Sequence, residues 1–266
     1  MENPLVSIII NCHNGEKYLK HCINSVLNQT YKNFEIIVID GGSKDSTLLN
    51  YYKKSDHQII IEKDKGIFDA FNKGIVRANG DLIYLIGSDD FLSSNKVFEL
   101  VINKIKPIND GVSIGCEFFN KKGMIVRKWY PKSITSTRIL YGLMPPHLGL
   151  FLRKKIYDEV GLFEIVEDKS KASDTKWLID LALIKPKLSI PILKNVCIYM
   201  QNGGESTGSL KGIIEQFLVV HNYAIKQKIP YRYSLSLTKT LSKLFQITFN
   251  KKSIKFSNID SKFHLN

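Results

Sequence analysis

Four apolar runs rich in β-branched residues organise the first third of the chain: Val6-Ser7-Ile8-Ile9-Ile10, then residues 34–39, 58–62 and 81–86. None alternates strictly between apolar and polar positions, which is the pattern of a strand buried on both faces. Between the first two runs, Tyr18, Leu19, Cys22, Ile23, Val26 and Leu27 recur at helical spacing. Residues 46–54 and 69–78 are read as further helices. Strand, turn, helix, strand in repetition predicts a parallel α/β sheet. Ligands of such sheets bind beyond the carboxyl ends of the strands. Here three strands stop at polar turns, Asn11-Cys12-His13-Asn14-Gly15, Asp40-Gly41-Gly42-Ser43 and Gly87-Ser88-Asp89-Asp90. The chemistry is expected at those tips.

The middle of the chain is less regular. Residues 112–119 and 123–129 read as strands on either side of Asn120-Lys121-Lys122, residues 143–147 as a loop, 149–152 as a strand and 174–184 as a helix. Beyond Ser209 acids become scarce, lysines and apolar residues mix, and residues 213–225 carry a helical apolar stripe.

Composition narrows the picture. With 266 residues, 44% hydrophobic and 24% charged, the chain can bury a full core. Lys plus Arg exceeds Asp plus Glu, 38 against 25, for a net charge of +13. That excess points to an anionic partner, such as a phosphorylated ligand, nucleic acid or an anionic membrane, or else to a solvated basic face. The basic residues form no recognised nucleic-acid module, so nucleic acid is not expected. Cys12, Cys22, Cys116 and Cys197 form no CxxC pair and no zinc spacing. Reduced thiols are expected. The apolar run from Leu5 to Ile10 is too short for a secretion signal, and no stretch approaches the ~20 apolar residues of a spanning helix. The expected location is cytoplasmic.

Three motifs carry candidate chemistry. Asp40, at a strand tip, can accept from a nucleobase N–H or a ribose hydroxyl, and Gly42 lets the backbone approach a ligand. The same run also serves as a plain turn with Asp45 or Ser46 as a helix cap. Gly66 precedes a helix holding Lys73. A helix start favours anions, so phosphate is a candidate there, with a surface helix as the alternative. Asp89 and Asp90 repel one another at the end of a buried strand. A hard cation such as Mg²⁺ or Mn²⁺, shared with phosphate, relieves that repulsion; a solvated turn is the other reading.

Taken in order, Val6–Asn14, Tyr18-Leu19, Ser25–Tyr31, Phe34–Ser43, the Gly66 helix and the Asp-Asp tip resemble the family-2 inverting glycosyltransferases of GT-A fold, over roughly residues 4–206. The resemblance implies an α/β fold, a Rossmann-like, mostly parallel sheet flanked by helices, with a C-terminal helical extension. It implies a catalytic domain over 1–208, with a donor half of about 1–92 and an acceptor half of about 110–208, followed by a basic helical segment at 209–266. It places Asn11, His13, Asn14, Glu16, Asp40, Gly42, Lys65, Gly66, Asp69, Asn72, Lys73, Ser88 and Asp89 around the nucleotide-sugar donor. Asp89 and Asp90 would hold Mn²⁺ or Mg²⁺ on the diphosphate, although Gly87 stands where the family often has another acid. His147, Trp177 and Gly204 fall on the acceptor side. Asp174 falls where the family carries its base, and an N-cap role is compatible with that.

The implied activity is transfer of a sugar from a nucleotide-sugar, UDP-linked by preference, to a glycan or lipid-linked saccharide. It proceeds with inversion and belongs to cell-surface polysaccharide synthesis. A dehydrogenase is excluded, because Asn11–Gly15 lacks G-x-G-x-x-G. A nucleotidyltransferase and a non-catalytic sugar-nucleotide-binding subunit remain alternatives, and assembly into an oligomer is compatible with the chain. The basic tail with Tyr231, Tyr233, Phe245, Phe249 and Phe256 suits peripheral attachment to the anionic inner face of the plasma membrane, or a helical cap on the domain.

Overall fold

A computed structural model of the protein describes residues 3–47, 58–120, 123–165, 172–201, 210–230 and 232–249. The predicted strands form. β1 (Val6–Cys12), β2 (Phe34–Asp40), β3 (Gln58–Ile61) and β4 (Leu82–Gly87) build a parallel array in the order β3-β2-β1-β4. Ile8, Ile9 and Ile10 of β1 are fully buried, as are Leu82, Ile83 and Ile86 of β4. Helices on both faces account for the unbroken apolar runs. The expected helix over 46–54 falls mostly on residues outside those described.

α1 (Leu19–Leu27) buries Leu19, Cys22, Ile23 and Val26, the stripe predicted from spacing. α2 (Ile67–Arg77) buries Phe68, Phe71 and Ile75. It lies close on β1 because Gly74 faces Ile9, and a Cβ at 74 would overlap the Ile9 Cγ2 methyl. A glycine inside a helix costs about 1 kcal/mol relative to alanine; here the close approach offsets that cost.

The second half continues the same sheet with mixed polarity. After β5 (Phe91–Leu92) and α3 (Val97–Lys104), β6 (Gly111–Phe119) is buried along its whole length. It pairs antiparallel with β7 (Ile125–Trp129) and β8 (Leu150–Arg153), and parallel with β9 (Ile192–Gln201). β8 in turn runs antiparallel to β4, where Tyr84 stacks on Phe151 at 4.0 Å and joins the two halves. The short helices α4 (Ser136–Leu140) and α5 (Lys154–Val160) lead towards α6 (Ser173–Ile184).

Two longer helices complete the described fold, α7 (Leu210–Lys226) and α8 (Arg232–Phe249). Val220, Ala224, Ile229 and Leu235 belong to the same buried cluster as the sheet. The Tyr223 hydroxyl donates to Asp180 Oδ2 at 2.6 Å and ties α7 to α6. No helix among the described residues is long and apolar enough to cross a membrane.

Candidate active site

Register brings the strand tips together. Asn11 pairs with Gly87, Cys12 with Asp40, and Asp40 with Ile61. The loops after β1 and β2 are laced by side chains. The Asn14 N–H donates to Ser43 Oγ (2.7 Å), and the Lys44 N–H donates to Asn14 Oδ1 (2.9 Å). The Glu16 N–H donates to Asp45 Oδ2 (3.1 Å), while Glu16 Oε2 accepts from the Ser46 N–H (3.3 Å). Asp40 is fully buried. Its Oδ1 accepts from the N–H groups of Gly42 and Ser43, and its Oδ2 from the Ser43 hydroxyl. Asp40, Asn14 and Glu16 therefore shape this edge of the cleft, and His13 is exposed on it.

The Gly66 helix start is occupied by the protein's own carboxylates. The Lys65 N–H donates to Asp69 Oδ2 and the Gly66 N–H to Asp64 Oδ1, each at 2.9 Å. Lys73 is ion-paired with Glu62 (3.1 Å) and Asp69 (3.3 Å). Asn72 is a buried clamp across the molecule. Its Nδ2 donates to the Phe163 carbonyl (2.8 Å), and its Oδ1 accepts from the Phe163 N–H (2.9 Å). No sequence motif marks Asp64, yet it sits against Gly41: a Cβ at 41 would lie 3.0 Å from the Asp64 carboxyl carbon. Only a fold that packs the loops after β2 and β3 together exposes that relation.

The backbone separates the two adjacent acids at the β4 tip. Asp89 is exposed. Asp90 is buried, and its carboxylate accepts backbone hydrogen bonds from Gly87 and Gln201. Partial loss of hydration raises the pKa of Asp89, and full burial followed by the neighbouring charge of Asp89 raises that of Asp90. A Cβ at Gly87 would lie 2.8 Å from Asp90 Oδ2 and 3.0 Å from Asp89 Oδ1, so this arrangement leaves no room for a third acid there. Among the described residues no group of three His, Cys, Asp or Glu is placed to hold a metal. The donor set nevertheless fits a hard cation that takes its remaining ligands from phosphate. Two carboxylates with raised pKa values stand at the tip. On the adjoining strand, Asn11 Oδ1 is buried without a hydrogen-bond partner among the described residues.

A second cluster forms around Asp174 in the first turn of α6. His147 enters from a short 3-10 turn (His147–Gly149), its Nδ1 3.6 Å from Asp174 Oδ2. The His147 ring packs near Phe68 and Phe71 of α2 at 5.8 and 6.5 Å, and its Nε2 is buried without a hydrogen-bond partner among the described residues. Burial lowers the His147 pKa and outweighs the opposing pull of Asp174, so the ring is neutral at pH 7. Asp174 behaves differently. Burial raises its pKa, but Lys239, then His147, then bonds from Thr175 pull it down, and the net shift is downward. Both side chains face a cavity of about 160 Å³, and Asp174 is the one acid lining it among the described residues.

Trp177, expected at the acceptor side, is instead in the core. Its Nε1 donates to the Gly161 carbonyl (2.7 Å) and its ring stacks on Tyr157 at 5.0 Å. Gly204 lies outside the described residues. β9 joins the two clusters: Gln201 holds Asp90 through its backbone, and the preceding Met200 lines the Asp174 cavity.

Residues 7–161 match the description of glycosyl transferase family 2. The chain belongs to that family. An uncharacterized glycosyltransferase of Rickettsia conorii is 34% identical to it over 175 residues, 60% of this chain and 29% of that protein. Chondroitin synthase of Escherichia coli is 29% identical over 244 residues, 87% of this chain and 34% of that protein. The chain thus spans about a third or less of the length of these two curated relatives. Among solved structures, S. aureus TarS 1–349 in complex with UDP-GlcNAc superposes with a TM-score of 0.65 at 19% identity, covering 96% of this chain and 75% of that one. A mannosyltransferase from Pyrobaculum calidifontis in complex with GDP-Man and Mn²⁺ gives 0.60 at 13% identity, covering 91% and 74%. At such identities the likeness establishes the GT-A fold of this chain.

Proposed function

We propose that the glycosyltransferase moves a sugar from a UDP-linked donor to a saccharide or lipid-linked hydroxyl, with inversion, in cell-surface polysaccharide synthesis. The observation that carries this reading is the joining of two clusters by β9: an acidic tip suited to a diphosphate, and a cavity with one ionised carboxylate. The UDP-GlcNAc complex of S. aureus TarS supports the choice of uracil nucleotide. The loops laced through Asn14, Glu16, Asp40 and Gly42 would receive the nucleoside, with Lys65, Gly66 and Ser88 at the rim.

An acceptor hydroxyl is a weak nucleophile until a base takes its proton. Asp174 takes that proton as the oxygen attacks the anomeric carbon and the diphosphate leaves. Among the described residues no second carboxylate lines the cavity to form a covalent sugar intermediate, which favours one displacement with inversion, by the logic of two-carboxylate glycoside chemistry. His147, neutral, orients Asp174. Asp89, with Asp90 behind it, would hold Mn²⁺ or Mg²⁺, which when bound neutralises charge on the leaving diphosphate.

Placement on the inner membrane face has its own support. Ile214, Leu218 and Ile225 of α7, and Tyr233, Leu237 and Leu241 of α8, are exposed at helical spacing on a chain of net charge +13. Salt-sensitive co-sedimentation with anionic but not neutral vesicles is expected; equal binding to both removes this placement. The activity itself is tested by UDP release from a panel of UDP-sugars in the presence of Mn²⁺ and oligosaccharide acceptors. Release that depends on acceptor supports transfer, whereas nucleotide binding without turnover leaves a non-catalytic subunit, and pyrophosphate exchange a nucleotidyltransferase.

A further inference from the structure

The C-terminal helix α8 enters the cavity of the base. Lys239 lines that cavity together with Asp174, His147 and Thr175. Its Nζ donates to Thr175 Oγ1, and the Thr175 hydroxyl in turn donates to Asp174 Oδ1 at 3.3 Å. The helix is held close at this point. Leu235, one turn earlier, is fully buried. Gly142, at φ +86°, supports the α8 backbone directly: a Cβ there would overlap the Leu235 carbonyl and lie 3.0 Å from the Lys239 nitrogen.

We infer that Lys239 is a positioning residue for the Asp174 base, acting through charge and through Thr175, so that the catalytic cavity is complete only with α8 docked. The inference rests on the reading of Asp174 as base.

Desolvation disfavours a carboxylate in this cavity, and a protonated carboxyl cannot accept the acceptor's proton. Some cation must hold it ionised. His147 does less, because burial lowers its own pKa and so disfavours its charged form. Arg127 reaches the cavity from β7, but its guanidinium lies over the Phe118 and Trp129 rings at 4.3 and 5.2 Å. From α7 the cavity receives the uncharged Gln216. On α6 itself, Lys176 is engaged with Glu164 at 2.8 Å. Lys239 ranks ahead of His147 among the charges that lower the Asp174 pKa.

The test uses the full chain. Lys239→Gln keeps a polar side chain and removes the charge. UDP binding with Mn²⁺ should match the parent, because the nucleotide loops are untouched. The acidic limb of the kcat/KM profile, which in the parent lies at or below the ordinary carboxylate range, should move up by about 1–3 pH units, the shift an adjacent opposite charge produces. Activity relative to the pH 7 plateau should fall most at pH 4–5, by up to about 10-fold for each pH unit that the limb moves, and Lys239→Arg should return the limb towards the parent position. A limb that stays in place in Lys239→Gln, with Asp174→Asn inactive, overturns this inference and leaves the base intact. An active Asp174→Asn would overturn the base assignment instead. If Lys239→Gln fails to fold, Lys239→Met with the same profile decides.

Discussion

Asp174→Asn removes basicity while keeping the size of the side chain and its place in the first turn of α6. The carboxylate pKa is lowered in the folded protein, so at pH 7 the group is wholly ionised and its whole contribution as base is at stake. General-base catalysis contributes about 10²–10⁴ in rate. At ~1.36 kcal/mol per decade, that is about 2.7–5.4 kcal/mol of barrier. His147, neutral and 3.6 Å away, sets the residual activity by offering a weaker substitute base. Turnover of a competent UDP-sugar and acceptor pair, measured as UDP release at saturating donor, should therefore drop 10²–10⁴-fold. Donor affinity should stay within a factor of about two, because Asp174 lies apart from the laced loops. The double variant with His147→Gln should lose the remaining rate. Turnover within a few-fold of the parent, in a folded Asp174→Asn protein that binds UDP normally, refutes the assignment.

Asp89→Asn should weaken Mn²⁺-dependent UDP binding about 10-fold or more by calorimetry, because the exposed ligand loses its charge; unchanged binding would place the metal elsewhere. Asp90 has a folded pKa above its unfolded value, so its contribution is full at low pH and is lost as pH rises through the folded pKa. Asp90→Asn should accordingly raise the melting temperature of the metal-free protein at pH 8 more than at pH 4, and an equal change at both values would contradict this. Gly74→Ala should destabilise by about 1–3 kcal/mol through overpacking on Ile9, as read by urea unfolding.

The first third of the fold was legible because its strands are continuous β-branched runs and its helices carry clear stripes, Leu19 to Leu27 above all. The second half of the chain was legible only in part. α4, Ser136–Leu140, is too short to show a period, and β9 is interrupted by Lys194-Asn195, which are exposed. Asn72 and Lys73 stand in the helix expected from spacing, where one clamps a loop 91 residues away and the other is tied to Glu62, contacts that no local pattern reveals. Asp89 and Asp90 are the same residue type, so only the path of the backbone sorts the exposed one from the buried one. Lys239 was one lysine among many in a basic tail, and nothing local ties it to Asp174.

The most direct test of the central claim follows the anomeric centre. The protein, Mn²⁺, an acceptor and an α-linked UDP-sugar that supports turnover are combined in an NMR tube, and the configuration of the first-formed product is read from its anomeric proton coupling. The account predicts a β-linked product in step with UDP release. An α-linked product would contradict it, since retention requires a different arrangement from one base at Asp174.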